Sequence, residues 1–319
     1  MTRVWRPLSK ALAGLFVAAM SAFSQGTTSA RPGILNYVEG RAYINNQEVD
    51  QNQIGHLNLE ANQVLRTDAY SKAEVLLTPG VFLRIGGDSQ VTMISTSLID
   101  TRIAVTHGEA LVEATELFKD NNIQILCGNS STKLLKAGLY RFNANSGQVA
   151  VIDGKANVQR GDDRVALGKG RQVMLASAKL KAEKFDTKQE DDLYAWSNLR
   201  SEYAAEASYA SAKNINVNNY GWGAGWFWNP WYSSWAFIPW GGYLYDPFGW
   251  GFFAPGFLPY ASLYYAPWRR AVVPVNPGHV PAGVSVRSVG MTPGVAASVR
   301  SAPMSHAMGG GHFGGGGRR

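Results

Sequence analysis

The 319-residue chain has one cysteine, Cys127, so no intramolecular disulfide can staple it. That thiol ends the strand-like run Ile123-Gln124-Ile125-Leu126-Cys127, which suits a buried structural position rather than a reactive one. The five histidines, His56, His107, His279, His306 and His312, form no cluster of three or four convergent ligands, so no metal site is expected. No glycine-rich phosphate loop occurs between a strand and a helix, and no cofactor is expected. Gly87-Asp88-Ser89 is shaped like a short nucleophile block. A strand-like Val91-Thr92-Met93-Ile94 follows it instead of a helix, which makes a plain turn the expected reading. His107 lies upstream of Cys127 without a thiol-hydrolase signature. The acidic pairs Asp162/Asp163 and Asp191/Asp192 fit a solvated turn and the first turn of a helix. No catalytic residue is expected, and the chain reads as a non-enzyme.

Long apolar runs are missing too. The only candidate, Ala11 to Met20, falls short of the roughly 18 residues that a membrane-spanning helix needs. It follows Arg3, Arg6 and Lys10 and precedes Ala22-Phe23-Ser24, the layout of a secretory signal peptide over residues 1–24. Its removal would take three positive charges from the net +7, leaving +4. Acids are almost absent from residues 213–319, which hold seven Lys or Arg and one acid, Asp246. These cations are spread through Gly/Pro-rich chain rather than gathered on one face, so no nucleic-acid partner is expected. No stable transmembrane span is expected after cleavage.

Residues 33–176 contain short segments of alternating apolar residues between glycine-bearing turns, with almost no helical period. Ala73/Val75/Leu77, Val81/Leu83/Ile85, Ile103/Val105, Tyr140/Phe142 and Ala156/Val158 each show a period of two, the pattern of half-buried strands. Turn residues punctuate them at Thr78-Pro79-Gly80, Gly86-Gly87-Asp88, Asn145-Ser146-Gly147, Asp153-Gly154 and Gly161-Asp162-Asp163. Asp153-Gly154 predicts a two-residue hairpin with positive φ at both central residues. The spacing favours a β-sandwich or roll over alternating β-α units.

The period changes at 187–212. Thr187-Lys188-Gln189-Glu190 fits a capping box, and Leu193, Trp196, Leu199/Arg200, Tyr203, Ala207 and Ala210 recur along one face. One amphipathic helix is expected, packed on the β module because an isolated helix of this size is marginal. Residues 220–268 then hold 8 Trp, 6 Phe, 7 Tyr, 8 Gly and 6 Pro, with Asp246 the only charge before Trp268. The prolines preclude a long helix, and irregular chain is expected. This tract is either an exposed contact site for protein or glycan or an aromatic cover on the β module. Residues 269–319, rich in Gly and Pro and basic in balance, read as a disordered tail.

The β module resembles the FecR-type domain of bacterial envelope proteins. The resemblance rests on Val38-Glu39-Gly40 with Ala42-Tyr43-Ile44, Leu59 followed by Val64-Leu65-Arg66-Thr67, and Ser71-Lys72-Ala73-Glu74-Val75 leading into Leu83-Arg84-Ile85. Further along it rests on Gly138-Leu139-Tyr140-Arg141-Phe142, the run Val149 to Val158, and Leu167-Gly168-Lys169-Gly170-Arg171-Gln172-Val173. Two features depart from it. Ala61-Asn62 stands where the family commonly has Gly-Asp, and about ten residues precede the apolar run, so a cytoplasmic sigma-binding region is not expected. The resemblance implies an extracytoplasmic, mainly β domain without catalytic residues.

The expected protein is exported to the periplasm, outer envelope or extracellular space, and binds envelope partners in sensing or scaffolding. The alternative is a cell-surface structural or glycan-binding protein that stacks sugars on Trp222, Trp226, Trp228, Trp231 and Trp235. A second alternative, a membrane-anchored regulator of a sigma factor, requires an uncleaved N-terminus, and finding Gln25 as the mature N-terminus would exclude it.

Overall fold

The computed structural model describes residues 31–188, 190–215 and 225–258. The expected leader, Trp222, residues 259–268 of the aromatic tract and the tail 269–319 lie outside the described residues.

The chain alternates between two sheets, one to three strands at a time. β1 (Ile34–Glu39) enters the first sheet, and β2 (Ala42–Ile44), β3 (Gln47–Glu48) and β4 (Val64–Thr67) enter the second. β5 (Lys72–Leu76) and β6 (Val81–Ile85) return to the first, and β7 (Gln90–Ser97) and β8 (Asp100–His107) to the second. β9 (Glu109–Ala114) joins the first, β10 (Asn122–Cys127) and β11 (Ser130–Leu134) the second, and β12 (Gly138–Asn143) and β13 (Gln148–Asp153) the first. β14 (Lys155–Arg160) and β15 (Asp163–Gly168) close the second sheet; β16 (Arg171–Met174) and β17 (Glu183–Lys184) close the first. The resulting order is β1-β5-β6-β9-β12-β13-β16-β17 against β15-β14-β11-β10-β8-β7-β4-β2-β3. Within these two sheets neighbours run antiparallel except β8 and β10, which run parallel because the intervening β9 lies in the other sheet.

The alternating residues meet between the sheets. Val75, Leu83, Val112, Phe142 and Val151 from the first sheet share one core with Leu65, Val91, Ile103, Ile125 and Val158 from the second, all 0–1 % exposed. This is a β-sandwich, and the period of two is what lets each strand contribute to it. Cys127 lies in that core, where burial pushes its thiol up to about 11. His107 is exposed at the end of the neighbouring β8, so the structure does not bring the pair together.

The hairpin expected at Asp153-Gly154 does not form. β13 pairs with β12 and β16 in one sheet, whereas β14 pairs with β11 and β15 in the other, so this dipeptide is where the chain changes sheets. Only Gly154 has positive φ, at 99°. A Cβ there would strike the Tyr140 hydroxyl, which accepts from the Lys155 amide at 3.2 Å and donates to the Lys136 carbonyl. Glycine is required by that close approach rather than by a two-residue turn. Gly86-Gly87-Asp88 is likewise a change of sheet. Ser89 beyond it is 1 % exposed, its hydroxyl donating to the Gly87 carbonyl at 2.9 Å and accepting from the Glu109 amide at 3.0 Å.

Helix α1 (Asp192–Asn214) begins later than the capping box suggested. Its N-cap is Asp191, whose carboxylate accepts from the Tyr194 amide at 2.8 Å and pairs with Arg141 of β12. Attachment to the first sheet thus sets the start. Leu193, Trp196, Arg200 and Ala207 are buried as expected, whereas Leu199 is 46 % exposed and Tyr203 half-buried. Ser197, Ser201, Ala204, Ala205 and Ser208 complete the buried face.

Beyond the helix, where irregular chain is expected, two hairpins form. β18 (Gly225–Asn229) pairs with β19 (Ser234–Ile238), and β20 (Tyr243–Tyr245) with β21 (Gly251–Phe253). Helix and hairpins together cover the outer face of the eight-stranded sheet from β1 to β12. Ile34, Leu76 and Phe82 of that face bury against Ala204, Ala205, Trp226, Trp235, Phe237 and Phe252. Leu111 and Leu139 bury against Leu193 and Trp196.

Candidate functional site

Under the helix, the outer face of the eight-stranded sheet carries charge. Register places Glu74 of β5 opposite Arg84 of β6 and Phe82 opposite Glu113 of β9. The Arg84 guanidinium is 0 % exposed, donates to Glu74 at 2.8 Å and pairs with Glu113. Arg200 of α1 reaches the other oxygen of Glu74 at 2.9 Å, with its guanidinium 4.0 Å from the centroid of the Tyr37 ring. Asn36 donates to the same Glu74 oxygen at 2.8 Å, and the Ser201 hydroxyl donates to Glu113. Burial alone would push the Glu74 carboxyl up, but Arg200 and Arg84 outweigh it and hold the group down at about 2.

A third carboxyl joins this cluster. Asp246, 5 % exposed in the β20–β21 loop, accepts at Oδ1 from the Phe248 and Trp250 amides at 2.9 and 2.8 Å; Oδ2 is buried without a partner. Burial and then the nearby Glu113 push it up to about 8. Three carboxyls therefore face two guanidiniums, and a proton on Asp246 balances the cluster at neutral pH. The arrangement ties β5, β6 and β9 to α1. Alternation alone missed these residues. The available signal was the opposite charges of Glu74, Arg84 and Glu113 on the strand faces turned away from the core.

The aromatic tract divides into rings used internally and rings left outside. Trp226 is 5 % exposed and meets Phe82 and Phe237 edge-on, at centroid distances of 5.1 and 5.8 Å. Trp235 is 7 % exposed and donates from Nε1 to the Gly55 carbonyl at 2.7 Å; Trp228, half-buried, packs on His56 at 4.8 Å. Two glycines make room. Gly55 has φ 85° and a Cβ there would run into the Trp228 ring, and a Cβ on Gly80 would meet Phe237 at 3.0 Å. Of the expected stacking residues, Trp226 and Trp235 are thus packed into the fold. Trp231 stands 72 % exposed on the β18–β19 turn, where Asn229 Oδ1 accepts from its amide at 3.0 Å. Trp240 is 71 % exposed beyond the other end of β19. Among the described residues, Trp226, Trp228, Trp231 and Trp235 do not form one platform.

Comparison with known proteins places a family on this geometry. Residues 63–157, from β4 into β14, match the family model described as FecR protein. Two crystal structures of a candidate anti-sigma factor from Parabacteroides distasonis ATCC 8503 are similar to parts of the chain, each at 13 % identity. Their TM-scores are 0.34 and 0.35, and the matches cover 39 % and 42 % of this chain. The chain spans 61 % and 64 % of the length of those two. No curated protein matches.

Proposed function

We propose that the FecR-type domain makes this chain an exported, non-enzymatic sensing or scaffolding protein of a bacterial envelope, which binds a protein partner through the turns and edges of its sandwich. The observation that carries this reading is the family match over residues 63–157. The hairpins are consistent with it in that they take the outer face of β1, β5 and β6 away from a partner. A second reading, glycan binding, draws on Trp231 and Trp240, the most exposed of the described tryptophans.

The two readings separate in the full-length chain. A form ending at Ala212 is unsuitable, because it would strip Trp226, Trp235, Phe237 and Phe252 from Leu76 and Phe82. In-cell cross-linking followed by mass spectrometry is therefore done on the intact chain and on a Trp231→Ala/Trp240→Ala variant. Both are expected to capture the same envelope protein. Recovery of wall glycan by the intact chain alone, with no protein adduct from either, overturns the reading in favour of the second.

A further inference from the structure

One turn of the sandwich is built against the preference of its own residue. Asp68 to Ser71 joins β4 to β5, closed by the Ser71 amide donating to the Asp68 carbonyl at 3.1 Å. Tyr70 takes the third position with φ 58°, a left-handed backbone that glycine or asparagine ordinarily supplies. Asparagine does supply it elsewhere in this sandwich, at residues 45, 46 and 62. Tyr70 is the bulky residue among the non-glycine positions of this kind, and its side chain is 95 % exposed. The ring therefore adds backbone strain and buries nothing in return within the described residues.

The surroundings hold this conformation. The Asp68 amide donates to the Arg41 carbonyl at 3.1 Å, the Asp88 amide to the Asp68 carbonyl at 3.2 Å, and the Arg41 amide to the Ser71 hydroxyl at 3.0 Å. The Asp68 carboxylate accepts from the Tyr43 hydroxyl and from Arg66, both at 2.9 Å, and pairs with Arg41 at 3.2 Å. A Cβ on Gly87 would meet the Tyr70 amide nitrogen at 2.9 Å. Three turns thus lock together at this end of the sandwich. Strain that a framework over-determines is a mark of function rather than tolerance.

We infer that Tyr70 is a docking anchor, inserted by this end of the sandwich into an apolar pocket of a folded partner protein. The inference rests on the protein-binding reading above. A ring standing clear on both faces and at its edge is buried only by a surface that surrounds it. A sugar, by contrast, stacks on one face of a ring lying flush with its protein. Exposed Asp88 and Arg41, 65 % exposed, supply a rim of mixed sign around the anchor, the usual setting of a central aromatic contact.

The test uses the full-length chain in its own cell, with a photoreactive benzoylphenylalanine at position 70 or, at the far end of β7, at Ile99, itself 67 % exposed. A protein adduct is expected from position 70 and not from 99. The adduct partner is then purified and titrated with the unmodified chain, Tyr70→Phe and Tyr70→Gly. Tyr70→Gly should weaken binding at least tenfold while raising Tm by about 2–4 °C, because the turn is relieved; Tyr70→Phe should stay within about threefold. Tyr70→Gly binding within twofold of the parent overturns the anchor. An adduct from 99 alone overturns the anchor and leaves the protein-binding reading standing. Protein adducts from neither position overturn the anchor, and cross-linking of the intact chain then decides the protein-binding reading separately.

Discussion

The two sheets are built from strands of the same alternating kind and end in different environments. In the nine-stranded sheet, β8 and β10 bury every second residue and leave those between, Arg102 and Gln124 among them, at least partly open to solvent. In the eight-stranded sheet, β5 and β6 bury all five residues each, so Glu74 and Arg84 are as buried as Val75 and Leu83. Alternation guarantees one covered face. Whether the other is wet depends on chain more than a hundred residues away, and here α1 and the aromatic hairpins cover it. A charged residue on the outer face is therefore a solvated side chain in one sheet and a buried network member in the other.

The largest expected break in that contrast comes from one arginine in each sheet. Arg84→Ala leaves Glu74 and Glu113 without their shared partner in a buried site, and urea denaturation should show a loss of about 3–5 kcal/mol. Arg102→Ala, on the open face and paired with Asp100 at 3.2 Å, should change stability by about 0.2–1 kcal/mol. Similar losses from the two would show that the cover does not distinguish the sheets.

A smaller effect sharpens the role of the cover. Gly55→Ala places a methyl against the Trp228 ring on a backbone of φ 85°, and a loss of about 2–4 kcal/mol with a red-shifted tryptophan emission is expected. Gly161→Ala, at φ 58° but facing open space, should cost only the backbone preference, about 1–2 kcal/mol, and leave the emission unchanged.

The smallest effect is a pH slope. Asp246 has its folded pKa raised from 3.8 to about 8, so the folded state favours the protonated form. That stabilisation is complete below about 3.8 and is lost as pH rises through about 8. Besides burial, the groups acting on it are Glu113 and Arg84 from the sheet and the Trp250 and Phe248 amides of its own loop. Stability should fall by about 1–3 kcal/mol between pH 5 and pH 8, and Asp246→Asn should flatten that part of the Tm–pH curve. Glu74 acts in the opposite sense. Its pKa is lowered from 4.5 to about 2, so its contribution is full above 4.5 and disappears as pH falls through about 2. An unaltered slope in Asp246→Asn would assign the dependence elsewhere, with Glu206, pushed up to about 7 by burial and Glu202, the next candidate.

Much of the fold was legible because a period of two requires no knowledge of partners. Ala73/Val75/Leu77 and Val81/Leu83/Ile85 face the core as their spacing indicates, and Thr78-Pro79-Gly80 turns the chain between them. Asp153-Gly154 was misread because a glycine-bearing dipeptide between two strands has the same local form whether the strands pair or part. The helix start was misplaced because Arg141, 50 residues upstream, holds the residue that caps it. The candidate site was legible only in part. Exposure of Trp231 and burial of Trp226 cannot be distinguished by composition, and the strain at Tyr70 leaves no trace in residue type.

The amino-acid sequence by itself determined the alternating strands of the sandwich, their inward faces, the helix and the aromatic character of the tract, because each depends on residues within a few positions of one another. Tertiary structure alone decided which sheet is covered on both sides, which carboxyl keeps a proton and which aromatic rings remain outside. Those outcomes depend on burial and charge between segments far apart in the chain, where desolvation makes a neighbour's identity count for more than the residue's own.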